Sequence, residues 1–95
     1  MEFNLPYAQA RLARLAQALG EKVETLSQAE AAQAAIDAVR WLAQDVGIPA
    51  RLSDLGVMAE AIPQMAADAM KSGNIAVNPR PTALEDVIAL YQRAL

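Results

Sequence analysis

Apolar residues recur at three- and four-residue steps along most of this chain and nowhere alternate over a run of strand length, so the pattern predicts helices throughout. The first is read over about Leu5 to Leu19, with Ala8, Leu12, Leu15, Ala16 and Leu19 on one stripe and Gln9, Arg14 and Gln17 off it. Asn4 is its expected N-cap, Pro6 is tolerated in a first turn, and Gly20 supplies the stop. The longest helix is read over about Gln28 to Val46, where Ala32, Ala35, Ile36, Val39, Leu42, Ala43 and Val46 form the expected core face. Ser27-x-x-Glu30 has the form of a capping box, in which two backbone donors without helical partners are satisfied reciprocally. Gly47 and Pro49 close the helix.

Trp41 lies off that stripe, on the side of Ala34, Asp37 and Asp45. It reads either as a surface tryptophan lying over its own helix or as part of a second contact surface. Beyond Pro49, Arg51-Leu-Ser-Asp-Leu-Gly56 predicts a short helical turn, and about Pro63 to Lys71 a helix with Ile62, Met65, Ala66, Ala69 and Met70 on its apolar face. Those methionines read as gap fillers, since no other soft metal ligand accompanies them.

The stretch from Ser72 to Pro81 is read as a connection too long for a simple helix–helix turn. Asn78 and Arg80 each precede a proline and are biased towards extended backbone, so Arg80 is held between two stiff residues. It is a surface loop whose arginine pairs with a carboxylate, or a shaped loop lining a cleft. A second box, Thr82-x-x-Glu85, is expected to start the last helix, with Leu84, Val87, Ile88, Tyr91 and Leu95 on one face.

Composition thins the expected core. Of the 95 residues, 55% are hydrophobic, but 22 are alanine and only Phe3, Tyr7, Trp41 and Tyr91 are aromatic. Alanine favours helices and buries little area, so the expectation is an all-α fold, a small bundle of about four to five helices in one domain spanning residues 1–95. A chain of this size buries only about 60–65% of the surface its unfolded form exposes.

Histidine and cysteine are both absent, which excludes imidazole and thiolate metal sites, a histidine base and disulfides within this chain. A net charge of −3 and scattered Lys and Arg argue against a nucleic-acid partner. No run approaches the 18 or so apolar residues of a membrane span, and Met-Glu-Phe-Asn lacks the basic, apolar form of a secretion signal. The expected location is the cytoplasm. Glu30, Glu85 and Asp86 are explained by their places near helix starts, where negative charge is stabilising. The glycines are isolated, so there is no phosphate-cradling loop. Local chemistry alone describes a helical module with no catalytic group.

Three blocks carry a resemblance. Met1-Glu-Phe-Asn-Leu-Pro6, Gly47-Ile-Pro-Ala-Arg-Leu-Ser-Asp-Leu-Gly-Val57 and Asn78-Pro-Arg-Pro-Thr-Ala-Leu-Glu-Asp-Val-Ile-Ala-Leu-Tyr-Gln-Arg-Ala-Leu95 resemble, in order and spacing, the iron-containing alcohol dehydrogenase family. The resemblance is to the final part only of such an enzyme. It implies a parent with an N-terminal dinucleotide-binding domain and a helical metal-binding domain, using iron and NAD(P) to interconvert alcohols and aldehydes. The family's metal ligands, one Asp and three His, would lie upstream of Met1, so this chain would hold neither metal nor dinucleotide and would be inactive alone. Met1 then reads as an internal start, a proteolytic end or an engineered boundary, with a natural stand-alone remnant as the alternative.

The resemblance also implies that the loop before Asn78 approaches the cleft between domains. The family often has a cysteine four positions before that asparagine, where this chain has Asn74. Asn74, Asn78 and Arg80 are therefore the candidate cleft-lining residues, with no catalytic, cofactor-binding or metal-binding residue expected. The expected partners are the missing dinucleotide-binding domain and upstream helices, and further copies of the chain through uncovered apolar stripes. The alternative function is a stand-alone acidic helical module that binds another protein without catalysis. The choice of alcohol, of NAD or NADP and of iron or zinc rests on residues outside the chain.

Overall fold

Every regular element in the computed structural model, which describes residues 1–95, is helical. In chain order the α-helices are α1 (Leu5–Ala18), α2 (Gln28–Asp45), α3 (Ile62–Met70), α4 (Gly73–Ala76) and α5 (Leu84–Ala94). Single 3-10 turns occupy Glu2–Asn4, Leu52–Leu55 and Ala59–Ala61. The chain divides into two units, Met1–Ile48 and Pro49–Leu95.

In the first unit α1 packs along α2. The buried residues are Ala8, Leu12, Ala16, Val23, Ala31, Ala32, Ala35 and Ile36. Alanines at a helix contact let the axes approach towards the short end of the usual range, about 8 Å. Leu12, Val23 and Ile36 are the larger side chains buried in the seam, with Leu5 partly buried against it. Glu2, just ahead of α1, pairs with Arg40 near the end of α2, so the two helices run antiparallel. The predicted core face of α2 holds at Ala32, Ala35 and Ile36 but fails at Leu42 and Val46, which are 55% and 63% exposed.

The helix ends follow from local chemistry. The box before α2 forms as its spacing predicts: Glu30 N–H donates to Ser27 Oγ at 3.1 Å and Ser27 N–H donates to Glu30 Oε1 at 3.2 Å. At the far ends of α1 and α2, Gly20 and Gly47 take φ of 84° and 80°, the left-handed region where a Cβ is strained. That turn lets Glu21 N–H donate to Ala16 C=O at 3.0 Å and Ile48 N–H donate to Ala43 C=O at 2.9 Å, satisfying carbonyls the helices leave over. Asn4 does not cap α1 with its side chain. The Glu2–Asn4 turn runs straight into the helix, and α1 instead departs from helical backbone at Ala8 (φ −132°, ψ 24°).

In the second unit α3 packs on α5. Ile62 and Ala66 of α3 and Val87 of α5 are buried, with Met65, Met70, Ile88, Leu90 and Tyr91 half-buried around them. Pro63 falls in the first turn of α3, where its missing N–H costs nothing. The Leu52–Leu55 turn is tied to the end of the chain: the Ser53 backbone N–H donates to Leu95 C=O at 3.2 Å, and its hydroxyl donates to the same oxygen. No helix is long and apolar enough to cross a membrane.

Candidate functional site

The segment between α3 and α5 holds all three sequence-predicted site residues. Contrary to the expectation of a plain loop, it opens with one helical turn, α4. Ser72 is extended and caps it, its Oγ accepting from Asn74 N–H at 3.3 Å. Asn74 is exposed on that turn, and Val77, which ends it, is 77% exposed. Asn78 N–H donates to Ile75 C=O at 3.3 Å, carrying the turn into the Asn-Pro-Arg-Pro stretch.

Asn78 and Arg80 are half-buried and brought together by a hydrogen-bond clamp. Asn78 Nδ2 donates to Arg80 C=O at 2.8 Å and to Thr82 Oγ1 at 3.2 Å. Thr82 Oγ1 in turn donates to Arg80 C=O, also at 2.8 Å. One side-chain amide thus spans Pro79, which has no N–H to offer, and fixes the peptide after Arg80 through its oxygen. Asn78 acts first on the loop's own backbone.

Thr82 was legible only as a helix cap, and that reading fails. Its hydroxyl is committed to the clamp, so the cap moves on to Ala83. Alanine has no acceptor, and only half a box forms: Ala83 N–H donates to Asp86 Oδ2 at 2.9 Å, with Asp86 in the role expected of Glu85. The signal for Thr82 was its spacing, four residues after Asn78 and two after Arg80, around two prolines.

Elsewhere the titratable groups are spread out. No three His, Cys, Asp or Glu residues gather as metal donors. With histidine and cysteine absent, the residues present do not fit the iron that the resemblance implies. The Glu30 carboxyl is held below its ordinary range by the Ser27 hydroxyl and then the Ser27 backbone N–H, a capping effect. In the first unit an open groove of about 400 Å³ lies among Leu19, Ala34, Ala38, Trp41 and Leu42, edged by Glu21 and Asp37.

A sequence profile of the Fe-containing alcohol dehydrogenase family, C-terminal region, matches residues 1–95. The chain belongs to the iron-containing alcohol dehydrogenase family. Among relatives in this family, lactaldehyde reductase of Escherichia coli K12 is 40% identical over 94 residues, 99% of this chain and 25% of the relative. The 1,3-propanediol dehydrogenase of Klebsiella pneumoniae is 38% identical, over 97% of this chain and 24% of the relative. The chain therefore spans about a quarter of the curated relatives it matches. A crystal structure of 1,3-propanediol oxidoreductase superposes with a TM-score of 0.94 at 37% identity, covering 99% of this chain and 25% of that one. An alcohol dehydrogenase from Oenococcus oeni gives 0.92 at 39% identity, covering 99% and 24%. The all-α fold expected from the periodicity is that of the family's C-terminal region.

Proposed function

We propose that this polypeptide is the distal helical part of an NAD(P)-dependent oxidoreductase that interconverts a short-chain alcohol and its aldehyde in the cytoplasm. The whole-chain match to the C-terminal region of such enzymes carries the reading. The chain contributes scaffold and cleft wall. Metal and dinucleotide are held by the remainder of the parent, because the donors for a metal are not here. Residues 1–95 count as part of one helical domain of that parent.

Within the chain, the stretch from α4 to Thr82 is the part that would face the cleft. A clamp made of Asn78, Arg80 C=O and Thr82 makes a loop stiff enough to position side chains for a ligand. Asn74, polar and exposed one turn upstream, and Arg80 are then the residues presented to the cleft, with Asn78 holding the loop from behind.

The test is turnover. The purified 95-residue chain with ferrous iron, NAD and 1,2-propanediol should give no NADH above blank, whereas the full-length parent should oxidise a short alcohol. Turnover by the isolated chain would overturn the assignment of metal and dinucleotide to the remainder. A second reading, a stand-alone acidic module binding another protein, is favoured by the exposed Trp41 and Leu42. It requires a parent gene product of 95 residues, which the intact mass from the native source decides.

A further inference from the structure

The groove beside α2 is a feature that the proposed cleft loop does not use. Ala34, Ala38 and Trp41 recur at four- and three-residue steps on a face of α2 that flanks its contact with α1, and Leu19 and Leu42 extend the apolar area. Trp41 is 71% exposed, and Val46, one helical turn past Leu42, continues the strip. Two alanines leave room for a neighbouring backbone to come close, while a tryptophan and two leucines supply the area that rewards the approach. Contiguous apolar surface of this kind, edged by charge, is a contact surface more often than a solvated one.

What covers it follows from charge and from chain length. The edge is acidic at Glu21 and Asp37, and Asp37 already gathers Gln33 Nε2 at 3.0 Å and Arg40 at 3.5 Å. A second copy would bring another chain of net charge −3 with its own acidic edge, and like charges facing each other in a closing interface are unfavourable. The relatives, by contrast, carry about three quarters of their length outside the region matched here.

We propose that this groove seats a helix from the upstream part of the parent polypeptide, apolar on the face turned to Trp41 and Leu42 and bearing Lys or Arg opposite Glu21 and Asp37. The inference rests on the reading under Proposed function and adds to it a specific surface and the chemistry of its occupant. It assigns α2 two neighbours: α1 on its alanine seam and the upstream helix on the Trp41 side.

Accessibility of one introduced thiol tests this without relying on activity. The chain has no cysteine, so Leu42→Cys in the 95-residue chain is read without background, and in the full-length parent the same peptide is followed by mass spectrometry. Glu24→Cys, on the exposed connection between α1 and α2, serves as reference. The expected result is rapid alkylation of Leu42→Cys in the isolated chain at every concentration, and slowing by about tenfold or more in the parent, relative to the reference. Equal reactivity in both forms would overturn the proposal, and protection that grows with concentration of the isolated chain would assign the groove to a second copy instead. Leu42→Asp guards against a misfolded variant: circular dichroism should be unchanged in the isolated chain, and soluble yield should fall in the parent. A parent that protects Leu42→Cys yet oxidises no alcohol would leave the interface standing and remove the enzymatic reading.

Discussion

The two units of this chain are held together in different ways. Met1–Ile48 closes on a side-chain seam in which five of eight buried residues are alanine and the helix ends are finished by local motifs. Pro49–Leu95 buries only Ile62, Ala66 and Val87, and adds hydrogen bonds in its connections: Ser53 to Leu95, and Asn78 and Thr82 around the Arg80 carbonyl. Periodicity is a good guide to the first kind of assembly, because a stripe and a cap are read within a few residues of sequence. It is a poor guide to the second, where a hydroxyl has several competing acceptors and donors and the folded backbone chooses among them.

The largest effect is expected where the first unit keeps its few large side chains. Ile36→Ala removes the most deeply buried of them (3% exposed) and should cost about 2–5 kcal/mol, read as a lower denaturant midpoint at unchanged slope. A cost below about 1 kcal/mol would mean that the alanine seam, not Ile36, holds the pair. In the second unit, Asn78→Ala deletes both bonds to Arg80 C=O and Thr82 and should cost about 1–2 kcal/mol. Faster amide exchange should appear from Ser72 to Ala83 and leave α2 untouched. Exchange unchanged in that stretch would show that the two prolines alone hold it.

Smaller effects probe the ends of helices in each unit. Ser27→Ala should cost about 1 kcal/mol, because the acceptor for Glu30 N–H is lost. Thr82→Val should leave the start of α5 in place, since Ala83 and Asp86 make that cap, and should loosen only the clamp. The smallest change is with pH. Glu30 has its folded pKa lowered below its ordinary 4.5, so its contribution is present in full above that value. It is lost as pH falls through the lowered pKa. A side-chain carboxyl titration by NMR should find Glu30 below 4.5, and Ser27→Ala should move its pKa back up.

How far the sequence could be read follows the same division. The Ser27 box, the stops at Gly20 and Gly47 and the stripe through Ala32, Ala35 and Ile36 were legible because each depends on neighbours in the chain. Leu42 and Val46 sat on the same stripe and were misread as core. A period reports which face is apolar, but not how far along that face a partner extends. In the candidate site, the two X-Pro steps marked Asn78 and Arg80 as a restricted segment, and the structure adds hydrogen bonds across it. The turn at α4 and the role of Thr82 were hidden, since Ser-Gly-Asn and Thr-x-x-Glu each offered more than one local hydrogen-bond pattern.

Exchange of parts between relatives tests the central claim most directly. Residues 1–95 would replace the matching segment of Escherichia coli lactaldehyde reductase, with which they share 40% identity over 94 residues. The account predicts a soluble chimera that oxidises NADH with lactaldehyde. A chimera that folds, judged by cooperative unfolding and by protection of Leu42→Cys, yet gives no turnover with any short aldehyde would contradict it.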